Sequence, residues 1–293
     1  MSIEKQTIFK GVATALITPF YKGEIDYEAL QNLIEMQIEA GVGAILLAGT
    51  TGESPTLSVR EHADLVAFAA RQIRGRLPLL AGCGSNSTAH ACELATAVAE
   101  NGADALLAVT PYYNRANDRG IVAHYHALAD ATDKPLILYN VPARTGFSMT
   151  LSHYRQLSEH PNIVAVKEAS PDLSLLAALC AECGTNLDVY TGNDHHTVSA
   201  MRLGASGVIS VYSNVFPHKM TEICRLCTAQ DWRLAYARQK KVQTQMQALF
   251  WETNPIPVKH VMAEMGLCHA EYRLPLCPPA NDTARRLSEL FDV

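Results

Sequence analysis

A chain of 293 residues with 48% hydrophobic and 18% charged content holds enough apolar mass for one large barrel or two domains. A formal charge of −5, with no run of lysine or arginine, supplies no basic footprint for nucleic acid or a membrane surface. The opening MSIEKQTIFKG has no apolar h-region and no uninterrupted apolar stretch could cross a bilayer, so a cytoplasmic protein is expected.

In chain order, short apolar runs alternate with amphipathic stretches. GVATALI is followed by YEALQNLIEMQIEA, AILLA by VREHADLVAFAARQI, and LPLLAG by STAHACELATAVAE, whose apolar residues recur at helical spacing. The phrases AGVGAILLAGT, NGADALLAVTP and LGASGVISVYS each set a glycine-containing joint before an apolar run, which is how a helix ends and a parallel strand begins. ALLAV, PLILYN, IVAVK, LDVYTG and GVISV complete a set of eight runs. Eight parallel strands with alternating helices make an α/β chain of the TIM (β/α)8 barrel type. A doubly wound sheet is the alternative, disfavoured by the absence of a Gly-rich dinucleotide fingerprint. From about Asn214 the sequence reads as helices, interrupted by prolines at ETNPIPVK and LPLCPP. This predicts a catalytic barrel over residues 1–224 and a C-terminal helical extension over 225–293, packed on it without a linker.

Eight cysteines in a chain of this kind are expected to remain reduced. Cys180 with Cys183 and Cys224 with Cys227 have the spacing of zinc ligands. Both pairs lie in helical segments without a knuckle turn, which favours small apolar side chains one helical turn apart and no metal. His195 and His196 are adjacent, a poor arrangement for ligating one ion from a regular element.

The run IVAVKEAS brings a lysine, Lys167, to the end of a buried strand. Such an ammonium either reaches water or is desolvated into a usable amine nucleophile. In a barrel, chemistry gathers at the C-terminal ends of the strands. There the chain sets Thr50 and Thr51 in GTTGES, Tyr112 and Tyr113 in TPYYNR, Tyr139 at the end of PLILYN, and Arg144 in VPARTG. Turn formation, edge covering and a surface ion pair would explain them singly. Together they suit a carbonyl substrate bearing carboxylates.

In order and context, GTTGE, TPYYNR, YNVPARTG and VKEAS resemble the dihydrodipicolinate synthase family, a branch of the N-acetylneuraminate lyase and Schiff-base aldolase group. The resemblance runs along nearly the whole chain and implies a TIM barrel with a C-terminal helical extension. It implies a lyase that condenses pyruvate with L-aspartate 4-semialdehyde to 4-hydroxy-tetrahydrodipicolinate, the committed step of diaminopimelate and lysine biosynthesis. Lys167 would form the imine, and Tyr139, Thr51 and Tyr113 would relay protons. Thr50 and Thr51 would hold the pyruvate carboxylate, Arg144 would grip that of the second substrate, and Gly192 and Ile209 would shape the wall. No metal or organic cofactor is implied. A homo-oligomer is, as a tight dimer in which Tyr113 reaches the neighbouring site and commonly a tetramer built as a dimer of dimers. Sugar-acid lyases of the group generally lack an arginine in the YNVP segment, so a lyase acting on a sugar acid is the runner-up. A catalytically silent keto-acid sensor is the alternative of another class.

The resemblance also implies an effector cleft for lysine at Ser54, Pro55, Val59, His62, Asn86, His90 and Tyr112. Two positions depart from sensitive relatives, which typically carry glutamate where His90 stands and commonly histidine where Val59 stands. Without that carboxylate the ammonium of the effector lacks its acceptor, so weak feedback is expected.

Overall fold

The computed structural model describes residues 7–293; residues 1–6, the start of the segment read for a leader, lie outside the described residues. The strands are β1 (Gly11–Ala15), β2 (Phe20–Tyr21), β3 (Glu24–Ile25), β4 (Ala44–Leu47), β5 (Leu79–Gly82), β6 (Ala105–Val109), β7 (Leu136–Asn140), β8 (Ile163–Glu168), β9 (Asp188–Thr191) and β10 (Gly207–Ser210). All except β2 and β3 close into one parallel barrel in the order β1-β10-β9-β8-β7-β6-β5-β4, while β2 and β3 form a separate antiparallel hairpin. The eight barrel strands are the eight apolar runs read from the sequence. The hairpin was not anticipated, because two residues per strand leave no period to read.

The helices alternate with the strands: α1 (Tyr27–Glu39), α2 (Val59–Ile73), α3 (Thr88–Glu100), α4 (Asp118–Asp130), the short α5 (Pro142–Thr145), α6 (Leu151–Leu157), α7 (Leu173–Cys183) and α8 (Thr197–Arg202). Their starts are chemically marked. Ser58 and Glu61 form a reciprocal capping box on α2, and Ser87, Asn117 and Asp172 accept from first-turn amides of α3, α4 and α7. Inside the barrel a compact cluster includes Ala13, Leu46, Leu107, Ile137, Ala165, Tyr190 and Ile209, so the interior is a packed core and not a pore. Tyr190 stacks on Phe9 at 4.1 Å and donates to its carbonyl at 2.7 Å, which plugs the end away from the strand C-termini.

Four helices follow the barrel strands: α9 (Pro217–Thr228), α10 (Trp232–Ala248), α11 (Ile256–Glu264) and α12 (Asn281–Phe291). The join expected at 224/225 falls inside α9, which packs against both β1 and α10. One continuous apolar cluster joins Val12 and Leu47 of the barrel to Val258, Leu287 and Phe291 of the extension. ETNPIPVK interrupts the helices only in its first half, because Pro257 sits in the first turn of α11, where the missing N–H costs nothing. Among the described residues no helix is long and apolar enough to cross a membrane.

Candidate active site

Every residue of β8 is buried, so Lys167 has no route to water along the strand and is only 6% exposed. Burial lowers its amine to about 8; the Asp194 carboxylate opposes that shift and the Arg144 guanidinium adds to it. Lys167 pairs in register with Tyr139 on β7, and its Nζ lies 4.4 Å from the centre of the phenol ring. Burial raises the Tyr139 phenol, with Arg144 and a hydrogen bond with Thr50 acting in the opposite direction. The phenol therefore remains a proton donor at neutral pH. The neighbouring Glu168 is equally buried but fully engaged: it accepts from Asn140 Nδ2 at 3.0 Å, Tyr154 Oη at 2.7 Å and the Ser170 amide at 2.8 Å. That network anchors the end of β8 and leaves Lys167 as the group facing the cavity.

Gly192, just beyond β9, makes room for the lysine. A Cβ there would stand 2.6 Å from Ala169 Cβ and 3.0 Å from Lys167 Cε. Two residues on, buried Asp194 accepts from the Val211 and Tyr212 amides at 3.0 and 2.9 Å.

The GTTGE turn is held tightly after β4. Thr18 Oγ1 donates to the Gly52 carbonyl at 2.7 Å, and the Glu53 and Ser54 amides reach the Thr50 and Gly49 carbonyls at 3.1 and 3.2 Å. Thr51 Oγ1 accepts from Asn254 Nδ2 at 3.0 Å, while the Asn254 carbonyl accepts from Arg144 Nη2 at 2.9 Å. A cavity of about 590 Å³ brings Thr50, Thr51, Tyr139, Arg144, Lys167 and Gly192 together beneath Asn254. An amine whose neutral fraction is raised by burial, a phenol, two hydroxyls and a guanidinium in one cleft can form an imine with a keto acid, move protons around it and bind a second carboxylate.

Not every expected residue is there. Ile209 is fully buried in the barrel interior and does not line this cavity; Val211, two positions further along the chain, lines it instead. Tyr113, expected in a neighbouring copy's site and not its own, is 90% exposed outside this cavity, at φ +70° in a turn closed by the Asn114 amide on the Tyr112 carbonyl at 2.8 Å. Of the residues assigned to an effector cleft, Ser54, Pro55, His62, His90 and Tyr112 line a second cavity of about 330 Å³ that shares Thr50, Tyr139 and Arg144 with the first. Val59 and Asn86 do not line it: Val59 opens α2, and the Asn86 carbonyl is taken by Asn114 Nδ2 at 2.8 Å. Asn254 was missed in the sequence, where its stretch reads only as a proline break. The cysteines of the two CxxC pairs lie on α7 and α9 with thiols raised by burial, and among the described residues no three His, Cys, Asp or Glu side chains gather as metal ligands.

Comparison with known proteins matches the chain nearly from end to end. Residues 8–292 fit the model of the Dihydrodipicolinate synthetase family. The 4-hydroxy-tetrahydrodipicolinate synthase of Geobacter metallireducens is 45% identical over 97% of this chain and 98% of its own length, and that of Aquifex aeolicus is 41% identical over 97% of each. The crystal structure of dihydrodipicolinate synthase from Aquifex aeolicus superposes with a TM-score of 0.95 over 97% of both chains. With a closed barrel, a buried lysine at the end of β8 and relatives alike from end to end, the chain belongs to the dihydrodipicolinate synthetase family.

Proposed function

We propose that this chain is a lyase, a 4-hydroxy-tetrahydrodipicolinate synthase that condenses pyruvate with L-aspartate 4-semialdehyde through an imine on Lys167, in the biosynthesis of diaminopimelate and lysine. The observation that carries the reading is the desolvated Lys167 amine, lowered to about 8 and set against Tyr139. The neutral amine adds to the pyruvate ketone, and the adduct takes up one proton as water leaves, giving a protonated imine that acts as electron sink. The methyl group then loses a proton, and the enamine carbon attacks the aldehyde, whose oxygen takes up a proton. The amine of the second substrate attacks the imine carbon, closes the ring and releases Lys167. Tyr139 and Thr51, on the wall of the same cavity as Lys167, act with Tyr113 of a neighbouring copy as donors and acceptors for these transfers, and Thr50 and Thr51 supply hydroxyls for the pyruvate carboxylate. Because the imine supplies the electron sink, this reading includes no metal or organic cofactor.

Arg144 favours the synthase over a sugar-acid lyase, since a planar guanidinium at the cavity wall suits a second carboxylate better than a row of hydroxyls. A desolvated amine argues against a silent sensor, which needs no nucleophile. The reading extends to a cytoplasmic homo-oligomer, a tetramer made as a dimer of dimers. Its support is the exposed Tyr113, held in a strained backbone conformation outside its own cavity, where a neighbouring copy could receive it.

Borohydride reduction with pyruvate, followed by peptide mass spectrometry, tests the reading. The expected product is a reduced pyruvate adduct on Lys167. An unmodified Lys167 peptide overturns the proposal.

A further inference from the structure

Beside the cavity, and outside its lining, lies a fully buried ion pair. Glu53 closes the GTTGE turn in the left-handed region at φ +57°, and its side chain has no exposed surface. Lys259, on α11, is equally buried and sets Nζ 2.5 Å from Glu53 Oε1. The same ammonium faces the Phe20 ring at 4.3 Å, and the second Glu53 oxygen accepts the Arg273 amide at 3.2 Å. Burial pulls the Lys259 amine down, and the Glu53 carboxylate is the chief force holding the proton on it. Two buried charges cost more desolvation than apolar side chains of similar volume, so such a pair is a poor source of stability and a good source of defined geometry.

The geometry it defines is that of the hydroxyl-bearing turn. Glu53 is joined to Thr50 through its own amide, and Gly52 is pinned by Thr18. Five residues before Lys259, Asn254 of the same segment holds the Thr51 hydroxyl. The extension thus grips the turn at two points, one on a threonine and one on the residue that ends it.

We propose that Glu53 and Lys259 are positioning residues for the pyruvate half of the site, fixing the turn so that Thr50 and Thr51 converge on the substrate carboxylate. This rests on the reading of Lys167 as imine former and of the threonines as pyruvate ligands. Neither Glu53 nor Lys259 lines the cavity, so each acts through the turn. Neither Glu53 nor Lys259 hydrogen-bonds Arg144, whose partner is the Asn254 carbonyl, so the effect of the pair falls first on the pyruvate side.

The test is Glu53→Met/Lys259→Met, which replaces both charges by apolar chains of similar length and leaves no orphan charge. The expected result is a folded enzyme whose KM for pyruvate rises about tenfold and whose borohydride-trappable imine forms about tenfold more slowly, while the KM for aspartate 4-semialdehyde stays within about twofold. A purely structural role would leave both KM values alone or move them together. Either of those outcomes overturns the proposal. If the double variant fails to fold, Glu53→Gln, which keeps volume and a hydrogen-bonding group while removing the carboxylate charge, is measured in the same way. A wild-type pyruvate KM in that folded variant overturns the proposal equally. Absence of a trappable imine in the wild type would remove the reading of Lys167 together with this proposal; an imine that persists unchanged in the variants removes this proposal alone.

Discussion

Tyr139 and Lys167 are register partners on adjacent strands, and the amine nitrogen sits 4.4 Å from the centre of the phenol ring. The ring covers the amine and helps keep it dry, which is the source of its lowered proton affinity. Since only the neutral amine attacks a ketone, single-turnover imine formation should rise about tenfold per pH unit on the acid side and flatten above about 8. Rapid-quench borohydride trapping across pH 6 to 10 measures it. A midpoint near the ordinary lysine value of about 10.4 would contradict the assignment.

Gly192→Ala should damage the same amine by crowding it. The added methyl meets Ala169 Cβ at 2.6 Å and Lys167 Cε at 3.0 Å, so either the backbone or the lysine stem must move. Overpacking of this kind costs about 1 to 3 kcal/mol of stability. Imine formation should fall at least about tenfold beyond what unfolding explains. Thermal melts alongside trapping separate the two effects.

For Arg144→Ala the split goes the other way. Pyruvate should still form its imine on Lys167, while synthase turnover falls by one to two decades, corresponding to about 1.5 to 3 kcal/mol for a lost charge-assisted contact. Loss of the imine itself would show that Arg144 serves the first substrate.

Feedback by L-lysine should be weak. His90 lines the second cavity, but its Nδ1 is engaged with Glu93 Oε2 at 3.0 Å, and it offers an ammonium no carboxylate of its own. Half-inhibition is expected above about 1 mM, where binding is worth about 4 kcal/mol or less. A steady-state titration showing half-inhibition well below that concentration would refute this.

The site sharing proposed for Tyr113 predicts complementation. Tyr113→Phe and Lys167→Ala proteins, each nearly inactive, should regain part of the wild-type rate after joint unfolding and reassembly, because a mixed assembly contains some intact sites. Activity no higher than the sum of the separate variants would place Tyr113 outside the relay.

The barrel was legible because a parallel strand buried on both faces must be apolar along its length, and GVATALI, AILLA and their six counterparts have no other use for that composition. Strand ends were legible too, since Thr50, Tyr139, Arg144 and Lys167 interrupt apolar runs with groups that core packing does not need. The hairpin of β2 and β3 escaped because it is held by distant contacts: Glu271 accepts the Lys22 and Gly23 amides, and Arg273 donates to the Gly23 carbonyl. Asn254 escaped for a similar reason, its partner Thr51 lying 203 positions away. Ile209 shows the opposite limit: it shares the barrel interior with Tyr139, yet the cavity is lined by Val211 two positions on, and order along the chain does not say which of the two reaches it.

Asn254 touches Thr51 with its side chain and Arg144 with its carbonyl, so the groups proposed for the two substrates lean on a single residue of the extension. The barrel and its helical tail are therefore not interchangeable parts. In a chimera that joins this barrel to a relative's tail, residues 51, 144 and 254 behave as one heritable unit, and a crossover anywhere between positions 144 and 254 divides it. Swapping tails among family members tests whether two lineages have kept the same agreement between loop and tail, a property that neither the barrel nor the tail carries alone.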